Sequence, residues 1–443
     1  MSVRAWLALA LSLAANGLPD CLPLTTDPTN PGVRSLDPID VKALSERIAK
    51  LHRLPIQEPI EIQALSDEDF HLRLLARDRG GRSARRARGA FWQTFGLSVV
   101  DRSPDATEDR VLEEQVTGFY DHHAKVLFVR GSMGSDGQVV PRYLGTRLVL
   151  AHEIVHALQD QHFDLTHYYQ DCTDDEGLAH EALLEGDAVL TSNALAAIDG
   201  DGTSLRERIA NWLRDLSRRT VAERAAVPAV ELRQAPLLLQ RRILFPYLEG
   251  AAFALRVYEI GGFDIMNRAL ARPPRSTEQV LHFDKYLAGE QPVPMAWPRP
   301  LMGSQVVSEG RMGELQTGVI LSKCLSQEDA ERAASGWGGD VWAIVADSSG
   351  QTTLLWSTVW DDETAAARFE HAAADRGSCP AAEPLFADVG RQVAVLRDGL
   401  RVAYVQGPPE ATKESNLRDV LSMPYDPVAP DPPFASRSPS AGR

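Results

Sequence analysis

The chain has 443 residues, and 46 Lys and Arg set against 61 Asp and Glu leave a net charge of −15. Its 44% hydrophobic and 24% charged residues are those of a globular protein, which excludes fibrous, collagen-like and largely disordered chains. An acidic surface repels phosphate, so no nucleic-acid partner is expected.

At roughly 100–200 residues per domain, the length fits two or three domains. Residues 1–17 read as a signal peptide: Arg4, then an apolar stretch from Ala5 to Ala15 broken only by Ser12, then Asn16-Gly17. That stretch is too short to span a bilayer. No later segment reaches about 18 uninterrupted apolar residues, so no transmembrane span is expected. The expected location is therefore secreted or in the cell envelope. Cys21, Cys172, Cys324 and Cys379 permit disulfides in an exported chain, with Cys324–Cys379 the preferred pair and Cys21–Cys172 the remainder. A lipid anchor on Cys21 is disfavoured, because Asp20 stands where such processing prefers a small residue.

Residues 18–38, rich in Pro, Thr and Asp, predict an extended lead-in. A helical pattern follows at 41–51. Ser66-Asp67-Glu68-Asp69 resembles a capping box that opens another helix. Seven arginines between Arg73 and Arg88 read as a solvated helix end and loop. Alternating apolar residues over 116–129 predict two short strands or a bent hairpin. Helices are expected at 147–158, at 179–198 after a loop around 172–175, at 205–218, and at 237–258 ended by Gly261-Gly262. Prolines at 291–300 close this region.

From 305 to 410 the pattern changes. Strands are expected at 340–345 and 352–360, then a helix capped by Asp361 running to Ala374, then a hairpin across Asp398-Gly399. That predicts a small α+β domain. Residues 424–443, with six prolines, read as a disordered tail.

The chemistry centres on His152-Glu153-Ile154-Val155-His156, an H-E-x-x-H pattern in a predicted helix with apolar flanks. Residues four apart share a helix face, so both imidazoles reach one metal, and Glu153 stands beside the first to take a proton from water. A catalytic zinc takes three protein ligands and a water. His162 occupies the third-histidine position of the metzincin pattern, but Gln159 stands where that pattern turns on a glycine. If the helix continues, His162 points about 240° away from His156. Glu185, with 28 residues between it and His156, is the preferred third ligand. Glu181, one turn earlier, is an alternative ligand, with Glu185 then orienting a histidine. Otherwise Glu181 or Asp187 accepts an imidazole N–H. Tyr247 and His282 are the candidate donors to the oxyanion formed when water adds to a carbonyl. Trp337 and Trp342 read as core.

These residues carry a resemblance. The sequence resembles gluzincin-type zinc metallopeptidases, whose third ligand is a Glu on a later helix, often followed by Gly. It is similar, in particular, to a sparsely characterised group of exported bacterial and archaeal metallopeptidases. The matching stretches are GFYDHHAKVLFV (118–129), LAHEIVHALQDQHFDL (150–165), ALLEGDA (182–188), FPYLEGAAF (245–253), STEQVLHFDKYL (276–287) and GWGGD (336–340). Together they cover about residues 110–405, and Phe283 departs from the proline expected after His282. The resemblance implies zinc on His152, His156 and Glu185, with Glu153 as general base. It also implies an edge strand carrying Tyr120, His122 and His123 that pairs with substrate backbone.

The expected fold is α+β: a mainly helical zincin-like domain over 39–300 with a short β element, then a small α+β domain over 305–410. The expected function is an exported zinc peptidase acting on peptide or protein substrates, in which a zinc-bound water attacks the peptide bond. The alternative is a non-catalytic surface or binding protein whose metal site is structural. Intact Glu153 disfavours it, because structural zinc sites fill four positions with Cys or His. No pattern in the chain specifies an oligomeric state.

Overall fold

The structure is a computed structural model. It describes residues 38–75, 91, 104–134, 137–141, 146–168, 173–200, 204–218, 230–297, 305–375, 392–425 and 427–434. The expected signal peptide, nearly all of the lead-in, six of the seven arginines, and Cys21, Cys172 and Cys379 lie outside these residues. The architecture is α+β, with a C-terminal β-sheet domain.

Helix α1 (Val41–His52) is capped by Asp40, whose side chain accepts from the Ala43 amide. Strand β1 (Glu61–Leu65) and helix α2 (Asp67–Leu75) follow, and the Ser66 hydroxyl accepts from Asp69 N as the capping box predicts. Helix α3 (Pro104–Gln115) leads into β2 (Gly118–Asp121), β3 (Val126–Met133) and β4 (Val139–Pro141). The sheet runs β1-β3-β2 with β4 also on β3, and β1 pairs with β3 in parallel. That parallel strand had no counterpart in the sequence reading. Strand β2 lies at a sheet edge, but His122 and His123 belong to the β2–β3 turn rather than to the strand.

Against this sheet packs α4 (Thr146–Phe163), buried on all sides from Val149 to Asp160. A helix apolar all round belongs at the centre of a fold. After a short turn, α5 (Leu165–Tyr168), comes α6 (Asp174–Asp199). It starts before the expected 179, inside the predicted loop. Thr173 accepts from the Glu176 amide, and Asp174, Asp175 and Glu176 suit the positive end of the helix. Helices α7 (Leu205–Arg218) and α8 (Val230–Gln234) precede α9 (Leu237–Ala271). Gly261-Gly262 breaks α9 without ending it. Gly262 has φ of +66°, open to glycine, and the helix resumes beyond it. Short helices α10 (Thr277–Leu281) and α11 (Phe283–Ala288) complete this part.

The C-terminal part holds β5 (Gln305–Gly310), α12 (Gly313–Leu321), α13 (Gln327–Ala334), β6 (Trp337–Ala346), β7 (Thr352–Trp360), α14 (Glu363–Asp375), β8 (Gln392–Asp398), β9 (Arg401–Gly407) and α15 (Glu414–Leu421). Its antiparallel sheet has the order β5-β6-β7-β9-β8. Both faces are covered, which explains strands that read as continuous apolar runs. On one face Trp342, Trp356 and Tyr404 form a cross-strand ladder continuous with the core of α6 and α9. On the other, Val341, Ala343, Leu355 and Val405 meet Leu417 and Val420 of α15. The two predicted domains thus share one core. Trp337 and Trp342 are buried in it, as expected of core residues.

Two further expectations are corrected. Helix α14 is capped by Asp362, which accepts from Ala365 N, because Asp361 is engaged by the Lys285 ammonium. Residues 427–434 of the expected disordered tail lie along the helical part. Prolines there cannot donate, but their carbonyls accept: Arg272 binds those of Pro432 and Pro433, Arg268 that of Phe434, and Phe434 packs edge-on against Tyr286.

Candidate metal centre

Helices α4 and α6 build the centre. His152 and His156 lie one turn apart on α4, and α6 brings Glu185 between them. The Nε2 atoms of His152 and His156 stand 3.0 and 3.5 Å from one oxygen of Glu185, Oε2. Zinc bonds of ~2.0–2.1 Å in tetrahedral geometry separate the donor atoms by about 3.3 Å, so this spacing accommodates such an ion. All three side chains are at most 1% exposed.

Helix α6 reaches this position because α9 lets it approach. A Cβ on Gly186 would stand 2.1 Å from the Gly250 carbonyl oxygen, and one on Gly250 would stand 2.2 Å from that of Ala182. The glycines of LLEGDA and YLEGAA are therefore the contact surface of the α6–α9 crossing. Tyr247, fully buried on α9, lies with its ring centroid 6.5 Å from that of His152.

Electrostatics point to a cation between the three donors. Burial drives the His152 imidazole below its ordinary pKa. Burial acts the same way on His156, but the Glu185 carboxylate outweighs it and raises that ring. For Glu185, burial favours the neutral acid, yet the two histidines hold it below the usual carboxylate range. The cluster stabilises one positive charge at its centre, which a proton or a metal ion supplies.

Glu153 is held differently. Its Oε2 accepts the backbone N–H of Tyr120 on β2 at 2.9 Å, while Oε1 is buried without a hydrogen-bond partner. Burial pushes this carboxyl up to about 8. The same tyrosine ties β2 to α4 through its hydroxyl, which donates to Asp160 at 2.8 Å alongside Lys125 at 2.6 Å.

A buried hydrogen-bonded chain orients His156. Its Nδ1 meets Gln159 Oε1 at 2.8 Å, and Gln159 Nε2 donates to Asp187 Oδ2 at 2.8 Å and to the Leu184 carbonyl at 3.1 Å. His52 Nε2, from α1, meets both Asp187 oxygens at 2.8 Å. Asp187 thus supports His156 through Gln159, one step further out than expected. Gln159, read in the sequence only as a missing glycine, has the role of acceptor for the imidazole N–H. Its position three residues after His156 on one helix face was the available signal. For His52, about 100 residues upstream, there was none.

Other candidates fall elsewhere. His162 is turned away, with Nε2 donating to the Pro55 carbonyl and Nδ1 accepting from Gln57. Glu181 makes no hydrogen bond to either imidazole. It is buried, and burial holds its carboxyl well above the ordinary value. His282, the other oxyanion candidate, has its Nε2 2.8 Å from Glu314 Oε1 at the junction with α12. A second acidic group, Glu278, Glu290 and Asp361, already holds a cation, since the Lys285 ammonium lies 2.5–2.7 Å from each.

The remaining motifs are structural. In GWGGD, Asp340 accepts the indole N–H groups of Trp337 and Trp356 and the backbone N–H groups of Met312 and Gly313. In STEQ, Ser276 caps α10, Thr277 donates to buried Asp175, and Glu278 binds Lys285.

Residues 301–418, the C-terminal sheet and its helices, match a family described as a domain of unknown function (DUF8575). No curated protein and no solved structure matches the chain.

Proposed function

We propose that the protein is an exported zinc-dependent peptidase, with His152, His156 and Glu185 as the metal ligands and Glu153 as the general base. The observation that carries this reading is the pair of states at Glu153: one oxygen pinned by Tyr120 N–H, the other buried and unpartnered beside the ligands. A structural site has no use for such a carboxylate. Two histidines and one glutamate also leave a fourth position open for water, as catalytic zinc requires.

Zinc so held supplies Lewis-acid chemistry, polarising the scissile carbonyl and acidifying water. Glu153 Oε1 would take the proton of the attacking water and return it to the leaving amine. The β2 edge beside α4 offers backbone groups for an extended peptide. Cys324 is disulfide-bonded, with its partner outside the described residues, which suits an oxidising compartment. No helix among the described residues is long and apolar enough to cross a membrane.

One observation favours the non-catalytic alternative. His152, Glu153, His156 and Glu185 are all buried, so substrate reaches them only if a covering element moves. Incubation of the zinc-loaded full chain with a mixed peptide library, read by mass spectrometry, separates the two readings. Cleavage by the wild type and none by Glu153→Gln is expected. A zinc-loaded wild type that cuts nothing contradicts the peptidase reading.

A further inference from the structure

We propose that His52 and Asp187, acting through Gln159, are positioning residues that hold His156 in the one tautomer able to bind metal, so that helix α1 sets metal affinity. The inference rests on the zinc reading above and names residues outside the ligand set.

Donor and acceptor chemistry along the chain leaves one solution. An ionised carboxylate and a backbone carbonyl only accept. The Gln159 group facing Asp187 Oδ2 and the Leu184 carbonyl must therefore be its amide nitrogen. Its oxygen then faces His156 Nδ1 at 2.8 Å, and that nitrogen must carry the hydrogen. A neutral imidazole has one N–H, so the lone pair falls on Nε2, the atom turned to Glu185. A ring flip or the other tautomer would set two acceptors, or two donors, against each other inside the core.

His152 has no such support. Its Nδ1 is buried without a partner, so the fixed orientation of the pair comes from the His156 side.

His52 completes the arrangement. Its Nε2 lies 2.8 Å from both Asp187 oxygens, and neither side chain is exposed. Thr191 adds only a long contact of 3.4 Å. Without His52, Asp187 would be a buried carboxylate held mainly by Gln159, free to rotate and draw the amide with it. The histidine is itself clamped: Phe263, just past the α9 kink, packs on its ring at 4.7 Å, and Asn267 donates to its carbonyl. Helices α1 and α9 thus meet the metal centre through one carboxylate.

The test is zinc affinity of the full-length chain by chelator competition, for wild type, Asp187→Asn, His52→Ala and His52→Gln. Unfolding of each metal-free protein and the ¹⁵N shifts of the His156 ring in each zinc-saturated protein are measured in parallel. Asp187→Asn and His52→Ala should weaken zinc about 10- to 100-fold, the range for groups that orient a ligand. His52→Gln keeps an N–H toward Asp187 and should stay within a few-fold of wild type. In zinc-saturated wild type the shifts should report hydrogen on Nδ1 and metal on Nε2. If His52→Ala does not fold, Asp187→Asn and the shifts decide. Wild-type affinity in the folded variants, a loss in His52→Gln as large as in His52→Ala, or a zinc-saturated wild-type ring bound through Nδ1 overturns this inference alone. A wild type that takes up no zinc overturns the zinc reading with it.

Discussion

The molecule buries two carboxylate-rich centres, and they are finished differently. At the junction of the two parts, Asp340 accepts from four donors and each oxygen of Asp175 accepts from Thr277, so all four oxygens of these two carboxylates are satisfied. At the α4–α6 centre, Glu153 Oε1 and His152 Nδ1 have no hydrogen-bond partner, and two imidazoles converge on one Glu185 oxygen. Burying polar atoms without partners costs about 1–3 kcal/mol each, and natural folds rarely tolerate it without a reason. Saturation marks the centre that holds the parts together. Incompleteness marks the one that could hold a metal ion.

That contrast can be broken by substitution. Glu153→Gln should lower kcat roughly a thousandfold while zinc content and fold persist, because only the proton carrier is removed. Steady-state kinetics on any cleaved peptide checks it, and a near-wild-type rate would assign the base elsewhere. Asp340→Ala should do the reverse. It strands two indole and two backbone N–H groups and should cost about 3 kcal/mol in denaturant unfolding, with zinc affinity unchanged in the folded fraction. Should zinc fall in step, the two centres are not independent.

A smaller effect sharpens the junction. Burial and the neighbouring Asp340 carboxylate push Asp175 up to about 7, so the folded chain holds this proton more tightly than the unfolded chain does. Its contribution is therefore full below about pH 4 and is lost as pH rises towards 7. Asp175→Asn should remove that decline from the pH profile of stability, and an unchanged difference between the profiles would contradict the assignment. The smallest expected effect is at His162. His162→Ala should leave zinc affinity within about twofold, because that ring serves Pro55 and Gln57.

How much of this was legible depended on sequence distance. The i,i+4 spacing of His152 and His156 placed two donors on one helix face, and the lack of a glycine at 159 argued that the helix runs on past His162, as α4 does to Phe163. Glu185 was reachable through the resemblance, in which the third ligand is a Glu on a later helix, often followed by Gly as it is here by Gly186. The roles of the glycines were not legible, since Gly186 matters only for the Gly250 carbonyl it faces across a helix crossing. Nor was His52, whose partner is 135 residues away. The partner of His282 was not legible either, because a helix-end histidine reads the same whatever it faces, here Glu314. The tail misled because composition counts prolines but not the arginines of α9 that bind their carbonyls.

The central claim is that His152, His156 and Glu185 hold one zinc ion, and metal analysis of the purified full-length chain tests it most directly. Inductively coupled plasma mass spectrometry should find about one equivalent of zinc in the wild type and in His162→Ala, and almost none in folded His156→Ala or Glu185→Ala. A metal-free wild type, or zinc retained in Glu185→Ala but lost in His162→Ala, would contradict the account.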